Sequence, residues 1–393
     1  MSYNILGINF SHNSSVCVLK DGKVDFFLEE DRLSRIKSDE FPDTLIRYIS
    51  KHYSINEISL SGVSQYPSIF LNYNKDRKNI FNSIICTDNK LTLFDEDEKL
   101  EYTIPSLLKP LFDKYFPKIP VNDYRAYHHD THALVSFLNS PFKESIVIVI
   151  DGTGSPTFNK NLIKFETETT YVCKSGSYPK VINKGFREYY IDEVIKTYPS
   201  LCHVYYFITR YLGFQMLEEG KTMGLSSYGK PNPSIPRLII NGRGNPEIFK
   251  PNKTENILSD IKDPIYEKYH YLFKDIETCK DVAYRLQKDV EIEVGNLIEK
   301  TLKTYNSKNI CLSGGLFLNC VANYKFKKRF PDVNFYVEPL SSDTGLSMGV
   351  AKASYLFKDK LNSLKQNQPQ KSIYYGPKYS RKELLKKIDK YLD

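Results

Sequence analysis

The sequence predicts an α/β protein made of two similar halves, with a cleft between them. Two segments about 140 residues apart share one pattern, a strand followed at once by a polar turn. In the first, residues 3–10 lead into the turn 11–15, and in the second, residues 145–150 lead into the turn 151–155. The length of 393 residues also exceeds what a single hydrophobic core usually supports.

The first lobe, expected at residues 1–144, opens with a hairpin. The apolar segment 16–19 and the mostly apolar segment 24–28 flank Asp21 and Gly22. An Asp-Gly pair between two apolar runs is a strong signal for antiparallel strands joined by a tight turn.

The second lobe, expected at residues 145–365, combines strands with one long helix. The apolar run at 145–150 is nearly continuous, as expected of a strand that is buried on both faces. Residues 281–305 carry apolar side chains at helical spacing and predict an amphipathic helix. Further strands are expected at residues 309–312 and 334–337.

The last part of the chain, residues 366–393, is predicted to be a linker followed by the start of a further domain. Residues 366–370 have linker composition, residues 373–377 begin a new segment, and residues 380–392 predict a short basic helix. We expect the rest of that domain to be absent through truncation or to be supplied by a separate chain.

Composition excludes several classes of protein. No apolar run reaches the roughly 18–20 residues of a membrane helix, and the first residues lack the basic and apolar regions of a signal peptide. Seven scattered cysteines without a C-x-x-C pair indicate reduced thiols rather than a disulfide framework or cysteine-ligated zinc. We expect a cytoplasmic location, in a bacterial cell or a phage-infected host.

The net charge of +8 is concentrated in the tail. Residues 358–393 contain ten Lys and Arg against four Asp and Glu, so the rest of the chain is close to neutral. A basic tail can contact a nucleic-acid backbone, although a solvated Lys-rich helix has the same composition.

The clearest chemical signal is a set of two histidines and two aspartates. His128 and His132 are four residues apart, so on a helix they share one face and can chelate one divalent ion. Asp151 and Asp343 each follow a predicted strand, where α/β folds place ligand groups. This mixed set suits Fe²⁺, Mn²⁺ or Zn²⁺ better than Mg²⁺. The alternatives are core histidines and turn or N-cap aspartates; His129 is expected to face elsewhere.

Glycine turns after two strands indicate a phosphate or nucleotide site. Glycine lets the backbone approach a phosphate, and free amides can bind it. An isolated glycine pair is more often an ordinary turn, so the pairing of two such turns carries the prediction. Asn319 begins the next helix and is expected near a ribose or base. The predicted turn residues are Gly152, Thr153 and Gly154 in one turn and Gly314 and Gly315 in the other.

Three further segments are predicted to line the cleft. His12 lies in the turn after the first strand and has a side chain suited to a general base, unless it only bonds its own loop. Arg35 and Lys37 follow a core strand and are expected to bind phosphate, although mixed charge runs are usually solvated faces. The glycine-rich loop at 218–231 reads as a functional loop or an irregular linker, and its candidate cleft residues are Glu219, Lys221 and Gly224.

These motifs together resemble the O-carbamoyltransferases of the nodulation-factor and antibiotic-tailoring type. The resemblance covers nearly all of residues 3–379, with the motifs in the right order. The matching segments are residues 11–15, 29–37, 128–133, 149–152, 219–225, 313–320 and 343–346.

The resemblance implies an actin-like ATPase fold, related to the catalytic subunit of the tRNA threonylcarbamoyl transferases. It implies iron held by His128, His132, Asp151 and Asp343. Carbamoyl phosphate and ATP would form carbamoyl-adenylate, held by the glycine turns and Lys37. The carbamoyl group would then pass to an acceptor hydroxyl, with His12 taking its proton. The acceptor is left open between a sugar, a natural product and a hydroxymethylpyrimidine in phage DNA, which the basic tail favours modestly.

Two departures from the family pattern leave alternatives. Asn13 stands where the family usually has an aspartate, which leaves the partner of His12 open, and the family's carboxy-terminal domain is expected to begin near residue 373. A tRNA threonylcarbamoyl transferase shares the metal set but fits residues 13–15 and 219–225 less well. A non-catalytic nucleotide-binding subunit is the third interpretation, and whether the chain forms a homo-oligomer stays open.

Overall fold

The computed structural model describes most of the chain. The described residues are 2–62, 108–124, 127–159, 162–190, 196–252, 263–358, 369–370 and 372–389. Most of the predicted linker at 366–370 and the end of the predicted basic helix, residues 390–392, lie outside them. No helix within these ranges has both the length and the apolar character needed to cross a membrane.

The first half forms a five-stranded sheet. Strand β2 pairs antiparallel with both β1 and β3. On the other side of β1, β4 pairs parallel with β1, and β5 pairs parallel with β4. The strand order is β3-β2-β1-β4-β5. The elements are β1 (Asn4–Phe10), β2 (Ser15–Lys20), β3 (Lys23–Glu29), α1 (Asp31–Ser34), α2 (Asp43–His52), β4 (Glu57–Gly62), α3 (Lys109–Tyr115), β5 (Val121–Asp123) and α4 (His128–Asn139).

The second half forms a six-stranded sheet. Its strands are β6 (Glu144–Ile150), β7 (Pro156–Asn159), β8 (Leu162–Lys174), β9 (Lys180–Tyr190), β12 (Asn309–Ser313) and β13 (Asn334–Val337), and β10 (Ile239–Ile240) pairs with β11 (Arg243–Gly244) apart from them. The helices are α5 (Leu201–Tyr211), α6 (Glu219–Leu225), α7 (Ile276–Thr304), α8 (Cys320–Arg329), α9 (Leu346–Lys358) and α10 (Arg381–Ile388). Short 3₁₀ turns at Gly315–Leu318 and Asp343–Gly345 follow β12 and β13.

The two sheets have the same topology. In the second sheet β6 pairs antiparallel with β8, β8 pairs antiparallel with β9, and β12 and β13 continue in parallel from β6. The order β9-β8-β6-β12-β13 therefore repeats the order β3-β2-β1-β4-β5, with β7 added as a hairpin on β8. The predicted duplication is confirmed, and the fold is that of the actin-like ATPases.

The last helix of each half packs on the sheet of the other half. Helix α4 lies against β6 and β12, where Phe137 packs with Val147 and Val149. Helix α9 lies against β1, β2 and β4, where Met348 and Ala351 share a buried cluster with strand residues of the first sheet. The two helices also pack on each other, so their amino-terminal ends lie at the interface between the lobes.

The helices begin where local capping groups allow. The predicted helix at 281–305 is confirmed but begins earlier, because the Asp275 side chain accepts a hydrogen bond from the Thr278 amide at 2.9 Å. The predicted basic helix is confirmed as α10, which begins after Ser380 with a reciprocal capping box to Glu383.

Candidate metal centre at the lobe interface

The predicted histidines and aspartates meet in space. One ligand atom from each of His128, His132, Asp151 and Asp343 lies within 4.8 Å of the others, and all four residues are buried. His128 Nε2 is 3.1 Å from Asp151 Oδ2 and 3.5 Å from Asp343 Oδ1. His132 Nε2 is 3.9 Å and 3.6 Å from the same two oxygens.

The fold positions each of the four differently. His128 and His132 project from the first turn and a half of α4, and the His128 amide donates to Ser155 Oγ at 3.1 Å. Asp151 follows the last residue of β6, and Asp343 begins the 3₁₀ turn before α9. The set therefore lies where the carboxyl end of the central strand β6 meets the amino-terminal ends of α4 and α9. We call these two the exchanged helices, because each packs on the sheet of the other half.

This arrangement fits a metal ion of the predicted kind. Ligands about 2.0–2.2 Å from one ion lie roughly 2.9–3.6 Å from their neighbours, close to the separations between these nitrogens and oxygens. His132 Nε2 is buried without a hydrogen-bond partner in the described part of the chain, which a coordinated ion would satisfy. Two imidazoles and two carboxylates suit Fe²⁺, Mn²⁺ or Zn²⁺.

Outer contacts fix three of the four side chains. Ser313 Oγ lies 3.3 Å from His132 Nδ1. The Gly315 amide donates to Asp151 Oδ1 at 2.8 Å, and Ser11 Oγ donates to Asp343 Oδ2 at 2.8 Å. Such partners orient ligands before an ion binds.

The electrostatics of the set are those of closely packed opposite charges. Burial lowers the pKa of His128, but the carboxylates of Asp343 and Asp151 outweigh it and raise that pKa to about 9. Burial raises the pKa of each aspartate, and the neighbouring imidazoles more than reverse this, so both carboxyl pKa values are lowered. A divalent cation would replace the proton on His128 as the charge that balances the carboxylates.

His129 is outside the set, as predicted. Its Nδ1 lies 2.8 Å from Thr169 Oγ1, and its ring packs against Gly154. Burial and the neighbouring His128 hold the pKa of His129 well below its usual value, so the ring is neutral.

The glycine turns were expected to offer free backbone amides to a phosphate, but three of these amides already donate hydrogen bonds within the protein. The amides of Gly154, Gly314 and Gly315 donate to Glu166 O, Ser341 O and Asp151 Oδ1 respectively, all at 2.8 Å, and are therefore not free for a phosphate. Gly314 is required for another reason, because it has φ +99° and an added Cβ would lie 2.3 Å from Ile150 O. The amides of Gly152 and Thr153 have no partner within the described ranges.

Asn319 begins α8, as predicted, but its side chain is already engaged. Its Oδ1 accepts from the Ala322 amide at 2.9 Å, and its Nδ2 donates to Gln287 Oε1 at 2.8 Å. Both bonds are buried, so the side chain acts as a helix cap tied to α7. Its predicted contact with a ribose or base stays a prediction.

His12 lies beside the metal set on the side of the first lobe. Its Nδ1 is 3.6 Å from Asp343 Oδ2, and its side chain is 30% exposed. Burial raises the pKa of Glu219, at the start of α6, and the nearby His12 offsets part of this rise. Asn13 has φ 64°, a left-handed conformation that asparagine tolerates better than most residues.

The remaining predicted residues lie at the rim. Lys37 is 76% exposed, and its Nζ is 3.9 Å from Glu218 Oε1, which also accepts from Lys221 Nζ at 2.6 Å. This contact joins the charged segment after β3 to the start of α6. Arg35 has φ 64° at the end of α1, and Gly224 has open space where a Cβ would stand. The structure thus brings Lys37 and Lys221 to one carboxylate, apart from the four ligands.

Sequence reasoning did not identify Ser11, Ser313 or Glu30 as individual contributors. Glu30 is buried, and its two carboxylate oxygens accept from the Thr44 and Leu45 amides at 2.9 Å each, so it caps α2. The acidic pair Glu29 and Glu30, followed by basic residues, drew attention to the segment 29–37 in the sequence. Only the fold shows that the Glu30 side chain is buried. The serines carried a weaker signal, a hydroxyl one residue from a predicted site residue.

Comparison with known proteins agrees with this picture. The chain is 24% identical over 380 residues to the nodulation protein NolNO of Sinorhizobium fredii, covering 94% of this chain and 49% of that protein. It is 26% identical over 260 residues to the nodulation protein NolO of Bradyrhizobium diazoefficiens, covering 64% of this chain and 41% of that one. The chain thus spans less than half the length of these relatives.

Among solved structures, the activator of the 2-hydroxyisocaproyl-CoA dehydratase from Clostridium difficile is similar, with a TM-score of 0.46 and 11% identity. The match covers 92% of this chain and 96% of that one. The family model described as carbamoyltransferase N-terminus matches residues 4–352 and so includes every predicted site residue. With nearly the whole chain matched and the resemblance of its motifs confirmed, this protein belongs to the carbamoyltransferase family, of which it has the amino-terminal region.

Proposed function

We propose that this chain is the transfer module of an ATP-dependent O-carbamoyltransferase. In this proposal it moves a carbamoyl group from carbamoyl-adenylate, made from carbamoyl phosphate and ATP, to an acceptor hydroxyl. The observation that carries the proposal is the buried set of His128, His132, Asp151 and Asp343 in a chain of this family. A divalent ion bound there, with iron as our first choice, would act as a Lewis acid toward an oxygen of the carbamoyl donor.

His12 is the residue proposed to handle the proton. Because Nδ1 faces Asp343 Oδ2, Nε2 is the nitrogen left for the acceptor hydroxyl. As the acceptor oxygen bonds to the carbamoyl carbon, its proton moves to Nε2, and the bond from that carbon to the adenylate phosphate oxygen breaks. AMP leaves with the electron pair, and His12 then returns its proton to water.

The adenylate is proposed to lie along the second lobe. The amides of Gly152 and Thr153 would form an anion subsite beside Asp151, and positively charged side chains at the rim would attract the phosphate. Lys37 and Lys221 supply that rim, since both extend toward Glu218 at the cleft mouth. Arg35 and Gly224 belong to the same two segments.

We propose that a second domain or subunit makes the adenylate. The match covers less than half of each of these two relatives, and an adenylate-forming part would complete the two-step reaction. The acceptor is an alcohol, either a sugar or natural product or a hydroxymethylpyrimidine of DNA. The basic residues of α10 and its surroundings give the DNA option a modest preference.

The test supplies carbamoyl-adenylate directly, so that no second polypeptide is needed. The chain, loaded with Fe²⁺ under argon, is incubated with ¹⁴C-labelled adenylate and a panel of aminosugars, polyols and hydroxymethylcytosine-containing DNA. Label is expected to enter one acceptor class with wild type and not with His128→Ala. A DNA acceptor must also bind more weakly as salt is raised from 50 to 200 mM.

Matched variants separate chemistry from folding. His129→Ala removes an imidazole of the same helix that is outside the ligand set, and it should retain bound metal. Loss of transfer in both variants would indicate a damaged helix rather than a lost ligand. No label in any acceptor with metal-loaded wild type would reject the proposal.

A further inference from the structure

The two carboxylate oxygens of Asp343 face different parts of the molecule. Oδ1 is the oxygen nearest to the imidazoles, 3.5 Å from His128 Nε2 and 3.6 Å from His132 Nε2. Oδ2 accepts from Ser11 Oγ at 2.8 Å and lies 3.6 Å from His12 Nδ1. One carboxylate therefore joins the metal set to the turn that carries the candidate base.

The bond from Ser11 is well supported. Ser11 and Asp343 are both buried. The Ser11 hydroxyl has a single proton, and it donates that proton to the charged Asp343 carboxylate, with which it makes its shortest contact. Asn9, fully buried in β1, donates from Nδ2 to Ser11 Oγ at 3.0 Å and to Asn13 O at 3.4 Å. Asn9 thus holds the hydroxyl that binds Asp343 and also the backbone on the other side of His12.

Two neighbouring serines extend this connection. Ser15 Oγ donates to Thr344 O at 2.7 Å and lies 2.8 Å from Ser347 Oγ, so β2 also binds the turn that contains Asp343. The Ser14 amide donates to Asp39 O at 2.9 Å, and its hydroxyl contacts Glu40 O. The turn at 11–15 is therefore tied both to Asp343 and to the segment that carries Lys37.

Asp343 differs from the other three ligands in what holds it. Asp151 follows a strand of the second sheet, and the helix of His128 and His132 packs on that sheet. Asp343 instead precedes α9, which packs on the first sheet, and its carboxylate is bound by Ser11 of the first half. An ion held by all four side chains would join the two lobes.

From this geometry we propose that Ser11 is a positioning residue that links metal binding to the placement of His12. An ion drawing on Asp343 Oδ1 fixes the carboxylate, and Oδ2 then fixes Ser11 and the turn at 11–15. The inference rests on the proposed function, because it takes the four side chains as ligands and His12 as the base. Coupling of this kind is reciprocal, so a free turn must also weaken metal binding.

The experiment measures metal affinity and backbone protection in the 393-residue chain. Mn²⁺ serves as an air-stable probe in titration calorimetry, and hydrogen exchange is followed by mass spectrometry for peptides covering residues 9–16, with and without Mn²⁺. In wild type, exchange in that peptide should slow by about tenfold or more when Mn²⁺ is bound. Ser11→Ala should bind Mn²⁺ about 10–100-fold more weakly, and at saturation its peptide should stay unprotected.

Ser313→Ala is the matched control. Ser313 also contacts a ligand, His132 Nδ1, but it belongs to the second sheet and has no bond to the turn at 11–15 in the described structure. This variant should also lose Mn²⁺ affinity, yet at saturating Mn²⁺ it should protect residues 9–16 as wild type does. The two serine variants therefore separate weakened coordination from a broken link.

The outcomes distinguish this inference from the proposed function. Wild type that binds no Mn²⁺ would overturn both. Wild type that binds Mn²⁺ without a change in residues 9–16, or Ser11→Ala that keeps the full protection, would overturn the link alone. If Ser11→Ala does not fold, Asn9→Ala gives the same test, because it removes the donor that holds Ser11.

Discussion

The turn after β1 and the turn after β6 occupy equivalent positions in two sheets of the same topology, yet they carry different chemistry. The first, residues 11–15, contains three serines, His12 and a left-handed Asn13. The second, residues 151–155, contains a carboxylate and two glycines. Both turns lie at the carboxyl ends of central strands, where the exchanged helices begin.

The difference shows how a duplicated fold can divide one reaction. The second turn supplies Asp151, a candidate metal ligand, and two amides without partners in the described chain, so it is suited to a cation and an anion. The first turn supplies hydroxyls and an imidazole, which suit the transfer of a proton and the orientation of a carboxylate. Asp343 faces His12 of the first turn and also His128, which in turn faces Asp151 of the second turn, so it links the first turn to the four-residue set.

The largest expected effect comes from removing the ligand of the second turn. Asp151→Asn keeps the size of the side chain but removes a charge that faces both imidazoles, so bound metal should be lost. Transfer should fall by more than the ~10–100-fold that outer-sphere changes cost. Metal content by mass spectrometry and labelled transfer are the measurements.

Asp130→Asn is the control for that experiment. Asp130 lies on α4 between the two histidines, but its oxygens accept from the hydroxyls of Tyr171 and Tyr178 at 2.7 Å each. This variant should keep one metal per chain even where its stability falls. Full metal occupancy in Asp151→Asn would show that the second turn has no ligand role.

The next effect concerns the first turn. His12→Ala should lower the rate of transfer by about 10²–10⁴-fold, the usual contribution of a general base. Its metal content should stay near that of wild type, because His12 is outside the four-residue set. Equal losses of metal and rate would mean that the two turns do not divide the work as described.

Much of the fold could be predicted because the pattern of the strands is local. The Asp21-Gly22 hairpin, the continuous apolar strand before Asp151 and the long helix α7 each follow from residues close together in sequence. The exchange of α4 and α9 between the sheets could not be predicted in this way. It depends on contacts between residues far apart in sequence, such as Asn139 with Glu338 and Lys352, which are 199 and 213 positions away.

The grouping of His128, His132, Asp151 and Asp343 could be predicted from the sequence, but the residues that support them could not. Histidines four residues apart and aspartates at strand ends are patterns that a sequence displays directly. Ser11 and Ser313 act through single hydroxyls that reach residues 332 and 181 positions away. The positions of the glycine turns after β6 and β12 could be predicted, but the hydrogen bonds of the Gly154, Gly314 and Gly315 amides could not, because they depend on which residues the fold brings beside each amide.

The smallest expected effect separates two glycines of the second turn. An added Cβ at Gly154 would lie 2.7 Å from His129 Cδ2 and 2.8 Å from Glu166 Cβ, whereas at Gly152 it meets nothing within 4 Å. The His129 ring is buried and bonded to Thr169, so it has little room to move. Gly154→Ala should therefore lower the free energy of unfolding by about 1–3 kcal/mol, and Gly152→Ala should change it by less than about 0.5 kcal/mol.

Urea denaturation of the two alanine variants measures this difference in stability. The kinetics of carbamoyl transfer by the same variants are the second measurement. If Gly152 is important because the backbone must approach a phosphate, Gly152→Ala should retain stability but raise the KM for the adenylate. Gly154→Ala should instead lose stability, because the added methyl group would crowd the buried His129 ring. A Gly152 variant indistinguishable from wild type in both measurements would remove this turn from the anion subsite and leave Asp151 as its one functional residue.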